Sequence, residues 1–387
     1  MKIIIFGSTG SIGQSTLSLI RILKNTQNFE ILALTGNNNI NQLCKDAIEF
    51  KVKRVVTANK NFISQLKEKL SSYDIEIYAG EEAILDTARM GADWIISAIV
   101  GFAGVPPTIE AVKYCKIVAV ANKESLVCAG KLLIDTANTY KSKLLPVDSE
   151  HNAIFQCINS ENPKTIKKVI LTASGGPFRN FTLSEMANVT VAQATNHPTW
   201  DMGKRISIDS ASMFNKALEL IEAKYFFDLK SNQLEVIIHP ESIIHSMVTF
   251  IDNSTLAQLC PNDMRNAIAH TLNYPERKIN PIQDLDLTSL KHLSFEDVDE
   301  KKFPSINLAR TILKTKGSLG VVFNGAKEIA LDRFISNDIK FLDMSNLVEK
   351  VLLLPEMNEY EYTLLNSIDE IISLNNRVRQ ISQQIRI

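Results

Sequence analysis

The five cysteines, Cys44, Cys115, Cys128, Cys157 and Cys260, are odd in number, widely spaced and contain no C-x-x-C pair. A disulfide framework is therefore not expected, and the pattern reads as reduced thiols in a cytoplasmic protein. Long apolar runs are missing too. The opening stretch Met1-Lys2-Ile3-Ile4-Ile5-Phe6-Gly7 is cut by glycine too soon for a signal peptide, and no later run approaches a membrane span. Neither charge is in surplus, with 42 Lys and Arg against 43 Asp and Glu and a formal net charge of -1. That balance argues against nucleic acid or a membrane surface as the main partner and leaves a small molecule. There is no internal repeat and no low-complexity tract. What is present is ordinary globular usage, 45% hydrophobic and 22% charged over 387 residues, enough for two or three domains.

Residues 1–147 alternate short β-branched runs with amphipathic stretches, the pattern of βαβ units and a parallel sheet covered on both faces. Strands are expected at Lys2 to Phe6, Phe29 to Leu34, Arg54 to Ala58, Ile75 to Tyr78, Trp94 to Val100, Ile117 to Ala121 and Leu144 to Val147. This predicts an α/β fold with an N-terminal, Rossmann-like doubly wound sheet. Residues 148–272 change character: a long helix, a strand at Val169 to Ala173, a Gly-rich loop, another helix, then strands at Glu235 to Ile238, Ser246 to Ile251 and Thr255 to Leu259. The close spacing of the last three suggests antiparallel hairpins in a separate central α+β domain. Residues 273–304 carry three prolines, Pro275, Pro281 and Pro304, and little periodicity, as a linker would. From 305 to 387 apolar residues recur at helical spacing, among them Leu364, Leu365, Ile368, Ile371 and Ile372, which predicts a C-terminal helical bundle.

Gly7-Ser8-Thr9-Gly10-Ser11-Ile12-Gly13 follows the first strand and opens a helix. Its glycines let the backbone turn tightly against a pyrophosphate, whose charge meets the helix N-terminus; a plain strand-to-helix turn is the alternative. An NAD enzyme usually has Asp or Glu after the second strand, where this chain has Thr35-Gly36-Asn37-Asn38-Asn39. Without a carboxylate to repel a 2′-phosphate, NADP is favoured. In Pro146-Val147-Asp148-Ser149-Glu150-His151-Asn152 two carboxylates two positions apart can converge on a hard cation such as Mg²⁺ or Mn²⁺, although Asp-Ser-Glu is equally good helix-capping chemistry. Asn215, Lys216 and Glu219 project from one side of a helix, either as an exposed ion pair or, with Ser174-Gly175-Gly176 and His197, as a phosphate pocket beside which Glu219 completes a metal site. The loop Thr195-Asn196-His197-Pro198-Thr199-Trp200-Asp201-Met202-Gly203-Lys204 can fold over a ligand, or its tryptophan can be structural.

Together with Ala121-Asn122-Lys123-Glu124-Ser125-Leu126, Ser174-Gly175-Gly176-Pro177-Phe178, Asn215-Lys216-Ala217-Leu218-Glu219, His239-Pro240-Glu241-Ser242-Ile243-Ile244-His245-Ser246 and Asp263-Met264-Arg265, these motifs resemble the 1-deoxy-D-xylulose 5-phosphate reductoisomerase family over almost the whole chain and in the family's order. The resemblance implies an NADPH-binding domain at 1–147 and a catalytic domain at 148–272. Its metal ligands would be Asp148, Glu150 and Glu219, for Mn²⁺ or Mg²⁺, and its phosphate pocket Ser174, His197, Ser210, Asn215 and Lys216. Lys123 and Ser149 would meet the substrate's polar backbone, with Glu150 and Glu219 also facing substrate and Trp200 in the lid. The nucleotide would touch Thr9, Gly10, Ser11, Ile12, Asn37, Asn38, Asn39, Asn122, Glu124 and Gly203. Lys123 and Glu150 would handle protons, and a homodimer is implied. One departure narrows the expected preference for NADPH over NADH: Asn37-Asn38-Asn39 stands where members commonly carry Gly-Lys-Asn or Gly-Arg-Asn. Two other classes remain open. One is a nucleotide-sensing protein without turnover; the other is a semialdehyde or homoserine-type dehydrogenase, whose aldehyde-oxidising form needs an activated cysteine that none of the five resembles.

Overall fold

In the computed structural model, which describes residues 1–158, 161–200 and 202–387, two compact units are resolved. The first comprises Met1–Ser125, Leu132–Ser149 and Asp263–Gln283. Its strands β1 (Lys2–Phe6), β2 (Glu30–Gly36), β3 (Arg54–Thr57), β4 (Glu76–Ala79), β5 (Ala92–Ser97), β6 (Cys115–Val120) and β7 (Lys143–Pro146) pair in parallel in the order β4-β3-β2-β1-β5-β6-β7. All seven expected strands form, as apolar runs sealed between helices should. Ile3, Ile4, Ile5 and Phe6 are completely buried. Leu17 and Ile20 of the helix Ser11–Leu23, and Leu43 and Ala47 of the helix Ile40–Phe50, join Ile3, Ile5 and Leu34 in one core. Each of these leucines and isoleucines contributes roughly 1.5–3 kcal/mol on burial, and Ala47 less. Strand order reverses between β1 and β5, and at the carboxyl edge of such a switch point parallel sheets take their ligands. The helix Arg265–Asn273 adds Ile268 and Leu272 to this core, so this segment packs with the N-terminal sheet, in contrast to the expectation that 148–272 form one central domain.

The second unit comprises Leu126–Lys131, Glu150–Asn262 and Asp284–Ile387. Its sheet contains β8 (Ile166–Ala173), β9 (Leu234–Ile238), β10 (Ile244–Phe250), β11 (Thr255–Leu259) and β12 (Glu296–Asp297), in the order β11-β10-β8-β9-β12. β10 and β11 are the expected antiparallel hairpin, its turn closed by Ser254 N donating to Asp252 Oδ1 at 2.9 Å. β9 differs from expectation: it runs parallel to β8, which separates it from β10. Adjacency in sequence suggested a hairpin there, but the crossover through residues 174–233 brings β9 back alongside β8 in the same direction, as parallel pairing requires. The span expected as a linker, 273–304, supplies β12 to the edge of this sheet. The C-terminal helices Ser305–Lys314, Leu319–Ile335, Asp343–Leu352 and Ile368–Gln384 cluster within this unit rather than apart from it. The second of them is buried along nearly its whole length. Gly320 makes that packing possible, since a Cβ there would lie 2.0 Å from the carbonyl oxygen of Val127.

Candidate active site

The glycine turn after β1 is shaped by contacts no side chain could share. Gly7 has φ 75 and a Cβ would sit 2.5 Å from the oxygen of Ala98; at Gly13 it would sit 2.4 Å from the oxygen of Gly7. The turn is tied to the end of β2, with Gly7 N donating to Thr35 Oγ1 at 3.0 Å and Ser8 Oγ donating to Thr35 O at 3.0 Å. The helix it opens has no side-chain cap and no acid in its first turn, so its positive end is left for an anion. Thr9, Gly10, Ser11 and Ile12 surround that end and are partly or fully exposed. In the next turn Asn37, Asn38 and Asn39 are exposed; Asn38 Oδ1 accepts from Asn59 Nδ2 at 2.9 Å, and Asn39 Oδ1 caps the following helix by accepting from Gln42 N at 3.2 Å. Asn122 is almost fully buried. Its amide donates to Ile99 O, Gly101 O and Glu124 Oε2 at 2.7, 2.9 and 2.8 Å, and its oxygen accepts from Ser125 N at 2.9 Å. The side chain is therefore occupied in clamping the loop after β5, and its backbone is what it can offer a nucleotide. Also in this unit, the Lys123 ammonium pairs with Asp148 Oδ2 at 2.7 Å, both side chains nearly sealed from water. Ser149 opens the helix Ser149–Ile158.

In the second unit Lys216 organises the acidic residues. Its ammonium lies 2.7 Å from Glu150 Oε1 and 2.5 Å from Glu219 Oε2, while Asn215 Nδ2 donates to Glu219 Oε1 at 2.5 Å. Burial pushes the Lys216 ammonium down, but the two carboxylates outweigh it and hold it above the ordinary lysine value. Glu219 is completely buried, and the Lys216 ammonium supplies the counter-charge that offsets its desolvation. The exposed ion pair is thus excluded for this trio. Behind it, His151 Nε2 lies 3.0 Å from the carbonyl oxygen of Glu219 and His151 Nδ1 lies 3.5 Å from Glu222 Oε2, in an interior for which the sequence alone sets no expectation. The signal available there is Glu222, one turn beyond Glu219 and flanked by the apolar Ile221 and Ala223.

A second group surrounds Ser174. His197 Nδ1 accepts from the backbone N–H groups of Thr199 and Trp200 at 3.2 and 3.0 Å, so Nε2 carries the proton and donates it to Ser174 Oγ at 3.0 Å. Burial lowers the His197 pKa and favours this neutral form. Ser174 Oγ also accepts from Gly176 N at 3.2 Å, leaving its own hydrogen as the one it can donate outward, as an anion requires. Gly176, with φ 67, brings this turn against Ser210, whose oxygen a Cβ would meet at 3.1 Å. Met213, in the left-handed region at φ 60, joins the helix Lys204–Ala211 that carries Ser210 to the helix Phe214–Phe227 that carries Asn215, Lys216 and Glu219. Trp200 stands 6.2 Å, ring to ring, from the buried His245, whose pKa is lowered by burial against an upward pull from Glu150. Asp201 of the same loop lies outside the described residues. Gly203 precedes the helix Lys204–Ala211 in open surroundings, with nothing within 4 Å of a Cβ.

Residues 3–130 match the family 1-deoxy-D-xylulose 5-phosphate reductoisomerase, residues 144–227 its C-terminal domain family, and residues 259–381 the DXP reductoisomerase C-terminal domain family. A 1-deoxy-D-xylulose 5-phosphate reductoisomerase of Rhizobium meliloti is 50% identical over 352 residues, covering 91% of this chain and 90% of the relative. One of Cereibacter sphaeroides is 44% identical over 380 residues, 98% and 96% of the two chains. Among solved structures, the enzyme of that name from Zymomonas mobilis in complex with NADPH superposes with a TM-score of 0.90 at 43% identity, covering 99% of this chain and 98% of the other. A DOX-P reductoisomerase in complex with NADPH, fosmidomycin and magnesium gives 0.95 at 39% identity, covering 99% and 97%.

Proposed function

The chain belongs to the 1-deoxy-D-xylulose 5-phosphate reductoisomerase family, and on that premise we propose that it rearranges and reduces 1-deoxy-D-xylulose 5-phosphate to 2-C-methyl-D-erythritol 4-phosphate with NADPH, in isoprenoid biosynthesis. The observation that carries this reading is the single buried ammonium of Lys216 between Glu150 and Glu219: two carboxylates directed at one cation are an oxygen donor set suited to Mg²⁺ or Mn²⁺. Asp148 is proposed as the third ligand. Bound there, the divalent ion supplies Lewis acidity toward a carbonyl and a neighbouring hydroxyl, and NADPH supplies hydride. The outward hydrogen of Ser174 supports a phosphate pocket built with His197, Ser210, Asn215 and Lys216, in which Lys216 contributes charge and the others direction. Lys123 and Ser149 hold the substrate's hydroxyl groups, and Lys123 and Glu150 carry protons to and from them. The Trp200 loop excludes water from this pocket. Thr9, Gly10, Ser11 and Ile12 take the pyrophosphate, and Asn37, Asn38 and Asn39 the 2′-phosphate end, with Asn122, Glu124 and Gly203 completing the nucleotide contacts.

We also propose a cytoplasmic homodimer. Reduced cysteines support the compartment: no disulfide joins any of the five, and burial pushes the thiols of Cys115 and Cys157 up to about 12 and about 11, away from reactivity. No helix among the described residues is long and apolar enough to cross a membrane. The family resemblance supports the dimer. Mixing the purified protein with 1-deoxy-D-xylulose 5-phosphate, NADPH and Mn²⁺ should consume reduced nicotinamide only when all three are present. Absence of turnover under those conditions, with NADPH still bound, would revive the sensing protein.

A further inference from the structure

Behind the two turns of the N-terminal sheet lies a polar network in an otherwise apolar core. Asp46, on the helix Ile40–Phe50, is completely buried. Its two oxygens accept from Gln14 Nε2 at 2.7 Å and from Gln42 Nε2 at 2.9 Å. Gln14 Nε2 also donates to Ser8 O at 2.8 Å, and Gln42 Nε2 to Gln14 Oε1 at 3.2 Å. Gln42 N in turn meets Asn39 Oδ1 at 3.2 Å. An unbroken line of hydrogen bonds therefore runs from Ser8 in the glycine turn, through Gln14, Asp46 and Gln42, to Asn39 in the asparagine turn.

The choice of a carboxylate at its centre is informative. A leucine would fill the same face of the helix without desolvating a charge. Burial does push the Asp46 carboxyl up, and the Gln14 and Gln42 hydrogen bonds offset it only in part. What a carboxylate adds is direction. Because it accepts only, both glutamine amides must present their NH₂ groups to it, and the same NH₂ of Gln14 is then fixed on Ser8 O. A satisfied buried network of this kind specifies one arrangement of the backbone around it.

We propose that Asp46, with Gln14 and Gln42, is a positioning device for cofactor specificity: it fixes the glycine turn relative to the Asn37 to Asn39 turn, and so sets how well the protein distinguishes a nucleotide with a 2′-phosphate from one without. This rests on the reading that these two turns hold NADPH. Both nucleotides use the first turn, and only the phosphorylated one gains from the second. Slackening the link therefore costs NADPH more than NADH.

The test uses full-length Asp46→Leu, Asp46→Asn and Gln42→Leu, with KM and kcat for NADPH and for NADH, KM for 1-deoxy-D-xylulose 5-phosphate, and direct titration of NADPH. Asp46→Leu should raise the KM for NADPH about tenfold or more, the loss expected when buried donors forfeit their acceptor. The KM for NADH should move less and that for the sugar phosphate should stay put. Asp46→Asn should recover most of the wild-type ratio of kcat/KM for NADPH over NADH, because its oxygen can still face Gln14 while its amide donates to a turned Gln42. Gln42 is only half-buried, so Gln42→Leu should fold and shift the ratio in the same direction should Asp46→Leu be unstable. A ratio unchanged in the variants, or equal losses for both nucleotides alongside a lower melting temperature, overturns the inference and leaves a structural network. Wild-type protein that fails to bind NADPH in the titration overturns the cofactor reading itself, and this inference with it.

Discussion

Lys216 holds its ammonium 2.5 Å from Oε2 of Glu219, one turn further along the same helix, and both side chains are sealed from water. Glu150 shares that ammonium at 2.7 Å. The charge that the phosphate pocket would use is thus the charge that keeps two carboxylates together, and a divalent ion between those carboxylates would relieve Lys216 of that duty. Occupation by metal and binding of phosphate should therefore favour one another, each to the same degree.

Replacing Lys216 with alanine should weaken binding of the sugar phosphate by ~1.5–3 kcal/mol, the contribution of a charge-assisted contact. NADPH affinity should hardly change. In chelator the variant should lose roughly 3–5 kcal/mol of stability, because Glu219 is left buried without its counter-charge. Mn²⁺ should restore more stability to it than to the wild type. Steady-state kinetics with KM and kcat both unaltered would take Lys216 out of the site.

How far the sequence reveals such arrangements depends on whether the signal is local. The strands of the first sheet are legible because parallel strands sealed on both faces are continuous apolar runs, as in Ile3 to Phe6. β9 is legible as a strand but not as the parallel partner of β8, since pairing is decided by a crossover of some sixty residues rather than by neighbouring turns. β12 is two acidic residues, Glu296 and Asp297, with no periodicity to detect. Ser174 and His197 carry recognisable chemistry, yet the tautomer that frees the serine hydrogen is set by backbone amides of Thr199 and Trp200 that only the folded loop supplies. The Gln14, Asp46 and Gln42 network spans two helices; its one local trace is an aspartate three positions after Leu43 on a buried helix face.

The asparagine turn makes a prediction about nucleotide choice. With no acid and no base among Asn37, Asn38 and Asn39, NADPH should be preferred to NADH by a modest margin, and Asn38→Arg should widen it. Asn38 is exposed and gives up only its contact with Asn59, so the folded state should tolerate the change. Ratios of kcat/KM for the two nucleotides decide it; a wild type that uses NADH better would refute this reading of the turn.

His270 makes a prediction about stability and pH. It sits near the end of the helix Arg265–Asn273 with its ring edge-on to Tyr274 at 6.3 Å, and burial, helped by the charge of Arg277, pushes its pKa from 6.5 down to about 4. The unfolded chain accordingly binds a proton that the folded chain refuses between about 4 and 6.5. Its contribution to stability is complete above pH 6.5, declines as pH falls through that window, and levels off below about 4. The full decline is at most ~3.5 kcal/mol, from about 1.4 kcal/mol per pH unit, and solvent screening of the partly exposed ring reduces it. His270→Phe keeps an aromatic ring beside Tyr274 and removes the titration, so urea unfolding at pH 7 and pH 4.5 should show a smaller loss than in the wild type. Equal losses in the two proteins would assign the acid sensitivity to other groups.

The metal reading meets its sharpest test at Asp148, where capping and ligation predict opposite results. If Asp148 only starts the helix Ser149–Ile158, Asp148→Asn should be nearly silent, because asparagine caps as well as aspartate. If it is a ligand, the substitution removes one of three negative charges proposed to hold a hard cation. Turnover at limiting Mn²⁺ should then fall by ~10²-fold or more, comparable to losing a group that stabilises a developing oxyanion. Excess Mn²⁺ should recover part of it. Crowded carboxylates alone would make the variant more stable in chelator, since they repel one another without a cation. The ion pair with Lys123 argues the other way: Asp148 is its carboxylate at 2.7 Å, and an asparagine leaves that nearly buried ammonium poorly compensated. At that distance the pairing outweighs the repulsion, so the melting temperature in chelator should drop. Melting curves in chelator and activity against Mn²⁺ concentration, measured on both proteins, separate the outcomes. A lowered melting temperature with wild-type metal dependence would make Asp148 the structural partner of Lys123 alone, and the cation would have to be held by Glu150 and Glu219 without it.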